Sequence, residues 1–209
     1  GNIRMLKTIA SGVSAGIAVG LGGSVFLACD NRYIGAALFS VALLSICYLD
    51  YYLFTGKIGY AVQDHSRKSV ERLLTGLLAN LAAAFALGAA VRFALPALGE
   101  KAAVLCAGKI EQRFFTAFVR ACFCGMLMYL AVQIFRAKKT PLGILFCIPA
   151  FILSGFEHSI ADMFYFGASG TLTPQILRFE LAAVLGNAVG SLALALLERA
   201  GKKQEEGTP

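Results

Sequence analysis

Residues 141–168 read PLGILFCIPAFILSGFEHSIADMFYFGA, and this stretch decides the fold. It is apolar and long enough to cross a bilayer, which takes about 20 residues of helix. Its middle, however, carries the polar and helix-weakening run SGFEHS, from Ser154 to Ser159. Non-helical backbone at membrane depth is tolerated only where it is buried in protein or lines a cavity. The stretch therefore predicts a broken transmembrane helix beside an internal cavity.

Five further apolar stretches accompany this one. They cover residues 8–29, 34–54, 73–97, 113–135 and 174–197, and a polar tail follows over 201–209. The chain has 209 residues, of which 58% are hydrophobic and 15% are charged, with a mean hydropathy of +0.71. Soluble domains carry about 25% charged residues. We therefore predict a single all-α transmembrane domain over residues 1–209 with six transmembrane helices.

Lysine and arginine residues are distributed unevenly between the polar segments. With the N-terminus inside, the inner side holds Arg4, Lys7, Arg67, Lys68, Arg72, Arg136, Lys138, Lys139, Arg199, Lys202 and Lys203. The outer side keeps mainly Arg32, Lys101, Lys109 and Arg113. The positive-inside rule then predicts two cytoplasmic termini in a multi-pass protein of the inner (plasma) membrane. The net charge of +7 thus reflects orientation, and no basic stripe with interleaved aromatics predicts a nucleic-acid partner.

The two halves of the chain, about 8–97 and 113–197, correspond to each other. Three pairs of positions are 105 residues apart: Lys57 and Asp162, Tyr52 and Glu157, and Gly20 and Gly125. Asn80 and Asn187 correspond with an offset of 107. The second stretch is interrupted as well, at LFTGK over residues 53–57. Because each half holds three spans, the second half must be inverted, and paired interrupted helices mark a transport site.

His158 lies in the interrupted fifth stretch beside Glu157. Ionisable residues at this depth are costly, and they mark functional sites by default. Histidine is the side chain that exchanges a proton near neutral pH without strong perturbation. A silent, hydrogen-bonded core histidine is the alternative. The broken helix and the repeat favour a functional histidine.

The run Gly155-Phe156-Glu157-His158-Ser159-Ile160-Ala161-Asp162-Met163 closely resembles GFEHSxANM, the signature of formate/nitrite transporters. Residues 53–57 resemble that family's LFTGN, and Asn187 lies in a GN-x-x-G like that of its last helix. Lys109 precedes the fourth span, where these proteins keep a vestibule lysine. The resemblance covers nearly the whole chain. The motif GFEHS is specific to the family, whereas LFTG alone would not be a specific signal.

This resemblance implies an aquaporin-like protomer in a homopentamer, with one pore through each protomer. Thr55 and His158 would face the substrate in that pore. The further pore residues are Lys109, Glu157, Asn80 and Asn187. The apolar constrictions are Phe39, Leu43, Leu53 and Phe151. On spacing alone, these four residues would be read as core or lipid-facing packing.

Two positions depart from the family pattern and carry charges. Lys57 stands in place of the asparagine after LFTG, and Asp162 in place of the asparagine of the second motif. Because the positions correspond in the repeat and the charges are opposite, we predict a buried Lys57–Asp162 ion pair. Separate snorkelling to nearby surfaces is the alternative. Tyr52 and Gly125 also replace polar family residues, so the substrate stays open.

The predicted function is a channel or transporter for small monovalent weak-acid anions, formate first and nitrite or hydrosulfide next, with proton coupling through His158. The charged substitutions keep two alternatives open: a pore for a neutral or ammonium-like solute, and a non-conducting scaffold or sensor. No asparagine precedes a proline, which disfavours an aquaporin.

We predict no catalytic residue, no metal site and no cofactor. Glu157 and His158 are adjacent and point about 100° apart in a regular helix. No CxxC, His-x-x-x-His or Glu-x-x-His metal spacing is present. The expected partners are a small anion, the lipid bilayer and further copies of this chain.

Overall fold

The computed structural model describes residues 2–206, with the side chains of residues 2–202. Its α-helices are α1 (Asn2–Ala28), α2 (Arg32–Leu49), α3 (Phe54–Lys57), α4 (Arg67–Ala94), α5 (Pro96–Ile110), α6 (Phe114–Lys138), α7 (Leu142–Leu153), α8 (Ser159–Ser169) and α9 (Pro174–Glu206). A 3-10 helix covers Ile58–Val62 after α3. Residues 201–206, expected to be a polar tail, continue α9 instead. Residues 207–209 of that tail lie outside the described residues.

Within the described range, five helices are long and apolar enough to cross a membrane: α1, α2, α4, α6 and α9. The stretch 141–168 is divided between the shorter helices α7 and α8, as its interruption predicts. The count of six spans therefore stays a prediction. Large apolar side chains such as Leu21, Leu78 and Leu197 lie exposed on the long helices. Such a surface suits lipid or a neighbouring subunit rather than water.

The helix α5 was not predicted from the sequence. Residues 98–112 lie between the predicted apolar stretches 73–97 and 113–135, and a glycine and two charged residues at positions 99–101 interrupt the apolar pattern there. Pro96 occupies the first turn of α5, where its fixed backbone angle favours a helix and its missing N–H leaves no bond unmade. α5 packs against α8 and carries Lys109 in its last turn. The helix therefore holds Lys109 beside the second break.

Both predicted helix breaks are present. After α2, Asp50 adopts a left-handed conformation with a φ of 53°, which aspartate tolerates better than most residues. After α7, Gly155 turns the chain with a φ of 72°. The residue before each new helix is extended, Leu53 before α3 and His158 before α8. The two half-helices thus begin inside the protein.

Asn80 of α4 holds the first break. Its amide nitrogen donates to the carbonyl oxygens of Tyr52 and Gly12, each at 2.8 Å. Its side-chain oxygen accepts from the amide of Phe54, also at 2.8 Å. Buried backbone groups without partners would be costly, and this one side chain satisfies two of those released by the break. Asn80 also ties the break to α1.

Asn187 of α9 makes the corresponding bonds at the second break. Its nitrogen donates to the carbonyl oxygens of Glu157 at 2.8 Å and Ala121 at 2.9 Å. Its oxygen accepts from the amide of Ser159 at 2.9 Å. Glu157 and Ser159 lie 105 positions after Tyr52 and Phe54, the two residues that Asn80 bonds at the first break. The hydrogen bonds therefore support the predicted repeat.

One predicted correspondence of the repeat is wrong by a helical turn. The sequence analysis paired Gly20 with Gly125. A side chain at Gly125 would strike the backbone carbonyl of Asn187, and it is Gly16 that approaches the carbonyl of Asn80 in this way. A shift of four residues keeps a helical residue near the same face, so apolar sequence alone does not distinguish the two registers.

Candidate functional site

Thr55 and His158 meet where the two broken helices come together. Thr55 lies in α3, His158 caps the N-terminus of α8, and both are buried. Thr55 Oγ1 lies 2.8 Å from His158 Nε2. The amide of Ala161 donates to His158 Nδ1 at 3.1 Å, so Nδ1 carries no proton. In the neutral ring, Nε2 therefore donates to Thr55, and the hydroxyl proton of Thr55 is left for another acceptor.

A small apolar chamber adjoins this pair. Its volume is about 10 Å³, close to one water position. Its lining consists of Val19, Phe39, Ala42, Leu43, Ile46, Leu53, Met128, Ile148, Phe151 and His158. The ring of Phe151 lies 6.1 Å from that of Phe39 and 5.7 Å from that of His158, between centroids. The four residues predicted as constrictions are thus buried around the chamber.

A wider cavity, which we call the Lys109 vestibule, opens beside the chamber. Its volume is about 320 Å³. Its charged lining residues are Arg32, Lys109, Arg120, Glu157 and Asp162. Lys109 Nζ lies 2.6 Å from Glu157 Oε2 and 2.8 Å from Asp162 Oδ1. Gln112 Nε2 donates to the other oxygen of Glu157 at 3.1 Å. One ammonium group thus bridges two buried carboxyl groups.

A second cavity, which we call the Lys57 vestibule, has a volume of about 400 Å³. Its charged lining residues are Asp50, Lys57, Arg136 and Lys139. Lys57 Nζ donates to Asp50 Oδ1 at 3.2 Å, and both side chains are accessible. Three cations against one carboxylate leave this vestibule positive.

The predicted Lys57–Asp162 ion pair is wrong. Lys57 pairs with Asp50, and Asp162 pairs with Lys109. The two residues line different vestibules, because corresponding positions of an inverted repeat face opposite sides of the molecule. Lys57 instead reaches an accessible cavity, as the snorkelling alternative has it.

The chamber lies between the two vestibules and shares walls with both. Phe39, Phe151 and His158 line both the chamber and the Lys109 vestibule. Ile46 and Leu53 line both the chamber and the Lys57 vestibule. The three cavities are thus neighbours, with the narrow one beside His158.

The two predicted pore asparagines have a different position. The side chains of Asn80 and Asn187 bond to backbone, and neither residue lines these three cavities. They position the two breaks. Sequence analysis missed Glu180 of α9, which is buried and whose two carboxyl oxygens have no hydrogen-bond partner in the described part of the chain. A signal was available, since Glu180 interrupts the apolar stretch 174–197.

The model of the formate/nitrite transporter family matches residues 1–199. The chain belongs to this family. YrhG of Bacillus subtilis (strain 168), described as an uncharacterized transporter, is 33% identical over 181 residues, covering 77% of this chain and 67% of that relative. A probable formate transporter of Methanothermobacter thermautotrophicus is 37% identical over 100 residues, covering 43% of this chain and 36% of that relative.

Two solved structures share the fold. A pentameric formate channel with formate bound gives a TM-score of 0.79 at 20% identity, covering 98% of this chain and 99% of that one. An FNT family ion channel gives 0.72 at 21% identity, covering 98% and 90%. The predicted all-α, aquaporin-like architecture of the formate/nitrite transporter family is confirmed. Together with the five long apolar helices, family membership makes the chain an integral membrane protein.

Proposed function

We propose that this protein is a channel for small monovalent weak-acid anions, with formate as the first candidate and nitrite and hydrosulfide as the next. One observation carries the proposal: the Thr55–His158 pair borders a narrow apolar chamber between two positively charged vestibules. The family description and the formate channel of similar fold support the same class of substrate.

The vestibules favour the arrival of anions. The Lys109 vestibule has three cationic and two acidic lining residues, and the Lys57 vestibule has three and one. Positive charge in a cleft raises the local concentration of anions and speeds their association. The N-terminus of α8 adds a partial positive charge next to His158.

The chamber favours the neutral acid. A bare anion in apolar surroundings loses its hydration at a very high cost, so the protonated form crosses more easily. The hydroxyl proton of Thr55, which the bond to His158 leaves free, replaces part of the hydrogen bonding that the solute loses on leaving water. In this proposal His158 orients that hydroxyl group beside the chamber, and it exchanges a proton with the solute when its bond to Thr55 opens.

The same reasoning supports an assembly and a location. The pentameric formate channel of similar fold supports a homopentamer, and the exposed apolar helix faces offer surface for both lipid and neighbouring subunits. The distribution of lysine and arginine supports cytoplasmic termini in the inner (plasma) membrane. We propose transport without a catalytic step and without a cofactor.

The test is uptake into liposomes reconstituted with the purified protein. Formate, nitrite, hydrosulfide, lactate, ammonium and urea are compared at several pH values, with the wild type and His158→Ala. We expect uptake of the small weak acids to rise as the pH falls and to weaken in His158→Ala. Equal uptake of urea or ammonium, with His158 dispensable, would support a neutral or ammonium-like pore. Absence of flux for every solute would support a non-conducting scaffold.

A further inference from the structure

Asp162 has a buried carboxyl group with one oxygen that accepts no hydrogen bond. It lies in the first turn of α8, and its side chain is 3% exposed. Its Oδ1 bonds Lys109, whereas its Oδ2 has no hydrogen-bond partner within the described residues. Asp162 lines the Lys109 vestibule together with His158. Asp162 therefore lies in the wall of the Lys109 vestibule, beside the chamber, and its second carboxyl oxygen is enclosed by the protein.

Among the buried groups around Asp162, carboxyl groups outnumber cations. Glu157 shares Lys109 with Asp162, and Glu180 of α9 interacts with Asp162 electrostatically. Three buried carboxyl groups thus face one ammonium group. Ionising all three would leave uncompensated charge in a medium of low dielectric, at a cost of several kcal/mol for each ion. Part of the cluster must therefore hold protons.

Hydrogen bonding decides which acids are ionised. Glu157 accepts from both Lys109 and Gln112, so it is the best stabilised carboxylate. Asp162 has Lys109 and the carboxyl group of Glu157, and two carboxyl groups can share a hydrogen bond only if one of them holds a proton. Glu180 has no hydrogen-bond partner among the described residues. The other titratable or charged groups near Asp162 are Arg32 of α2, Cys106 of α5, Cys124 and Arg120 of α6, Tyr165 of α8 and His158. Of these, Arg32 and Arg120 carry fixed positive charges, and both are exposed.

We propose that Asp162 is the proton donor of the Lys109 vestibule and gives its carboxyl proton to a weak-acid anion before that anion reaches the chamber. In this step the Asp162 O–H bond breaks and an O–H or S–H bond forms on the anion. Lys109 holds the carboxylate that remains, and vestibule water then relays a proton from the bulk solution, which restores the O–H bond of Asp162. The inference rests on the proposed function, because it names how that substrate becomes neutral.

This role distinguishes the chain from the pattern that its motif resembles. An asparagine at position 162 could hydrogen-bond a substrate, but it could not supply a proton. The donor also selects between anions. Formate, nitrite and hydrosulfide accept a proton readily, whereas nitrate, the anion of a strong acid, does not. Asp162 therefore contributes to the passage of the first group and leaves nitrate unaffected.

The test compares wild type, Asp162→Asn and Glu180→Gln in liposomes loaded at fixed internal pH. Asp162→Asn keeps the size of the side chain, and Glu180→Gln removes the other unpartnered acid. At about pH 7.5, where almost no free formic acid exists, we expect Asp162→Asn to lower formate uptake about tenfold or more. At about pH 5, closer to the range in which free carboxylic acids take up protons, the two proteins should converge. Glu180→Gln should keep the wild-type dependence on pH.

Infrared spectroscopy supplies a second measurement that does not depend on transport. We expect the wild type at neutral pH to have the carbonyl stretch of a protonated carboxylic acid that Asp162→Asn removes in part and Glu180→Gln does not abolish. If Asp162→Asn fails to assemble, Asp162→Ser serves as the second variant.

Three results would overturn the inference. The first is an unchanged pH profile of formate uptake in Asp162→Asn. The second is an equal loss at every pH, with nitrate affected as strongly as formate. The third is an infrared spectrum that Asp162→Asn leaves unaltered. If the wild type moves no weak acid at any pH, the proposed function fails instead, and the infrared band still decides whether Asp162 holds a proton.

Discussion

Thr55 Oγ1 and His158 Nε2 lie 2.8 Å apart although 103 positions separate the two residues in the sequence. Each residue stands at the beginning of a half-helix that follows a break. Their hydrogen bond therefore joins the two halves of the protein beside the narrow chamber.

Thr55→Val should lower formate uptake by about tenfold, because the methyl group replaces the hydroxyl group that bonds His158 and the passing solute. A hydrogen bond of this kind contributes about 1 kcal/mol, and its loss leaves a buried ring nitrogen without a partner. Thr55→Ser, which keeps the hydroxyl group, is the matched control. Uptake by both variants is measured in liposomes at equal protein content. Equal uptake by Thr55→Val and wild type would remove Thr55 from the site.

Asn187→Ala should destabilise the protein by about 2 kcal/mol or more. The substitution leaves the amide of Ser159 and the carbonyl of Glu157 unsatisfied in the interior, and each costs about 1–3 kcal/mol. The measurement is thermal unfolding in detergent. Asn31→Ala is the control, since Asn31 is an exposed N-cap of α2 whose removal costs about 1 kcal/mol. A similar loss in both variants would contradict the role assigned to Asn187.

Gly190→Ala should weaken the packing of α9 against α6. An added methyl group would strike the backbone carbonyl of Cys122, which cannot move aside as a flexible side chain does. Overpacking costs about 1–3 kcal/mol, so we expect a lower unfolding temperature and less assembled protein. Gly201→Ala is the control on the same helix, because nothing lies within 4 Å of its added atom. Unchanged stability of Gly190→Ala would show that the two helices are less close than described.

Lys109→Met should reduce both stability and anion uptake. It leaves Glu157 and Asp162 without their shared ammonium group, and removal of one partner from a buried ion pair costs about 3–5 kcal/mol. Lys101→Met on the same helix is the control, since its side chain is half exposed and exposed pairs contribute about 0–1 kcal/mol. Unfolding curves and uptake are measured for both. Wild-type behaviour of Lys109→Met would contradict the ion pairs.

Asp50→Asn should increase the flux of anions that enter from the Lys57 vestibule. The substitution removes the vestibule's single carboxylate, and asparagine tolerates the left-handed conformation at this position. The increase should fade at high salt, because accessible charges are screened over about 10 Å at 0.1 M. Asp64→Asn is the control.

Asp64 suits this comparison because the amide of Ser66 donates to its carboxylate and holds the pKa of Asp64 below its ordinary value. It is therefore ionised at neutral pH, and Asp64→Asn removes one full charge outside the vestibule. A similar rise in both variants would point to overall charge rather than to the vestibule.

Much of the fold could be predicted from sequence, because long apolar stretches indicate membrane-spanning helices and the polar residues within them indicate where those helices are interrupted. The breaks, predicted at residues 53–57 and 154–159 and found at 50–53 and 154–158, follow from polar residues within stretches that would otherwise span the membrane. The helix α5 could not be predicted so simply, because its charged residues sit on a partly accessible helix that packs against α8. The repeat was read correctly at Asn80 and Asn187, where a polar residue marks the register. The register of the repeat was predicted wrongly by one helical turn at Gly20, where only small apolar residues were available to align the two halves.

The amino-acid sequence alone indicated the membrane class, the two broken helices and His158, because long apolar stretches, their polar interruptions and a histidine at membrane depth are signals that need no partner. Thr55 and Lys109 were identified from the resemblance to the family rather than from their own chemistry. The partners of the charged groups depended on the tertiary structure. Lys57 and Asp162 have opposite charges at corresponding positions of the repeat, which suggested that they pair. In the structure, however, Asp162 pairs with Lys109 and Lys57 pairs with Asp50. An inverted repeat sends corresponding positions to opposite sides, and Coulomb attraction acts over distance in space rather than over distance along the chain.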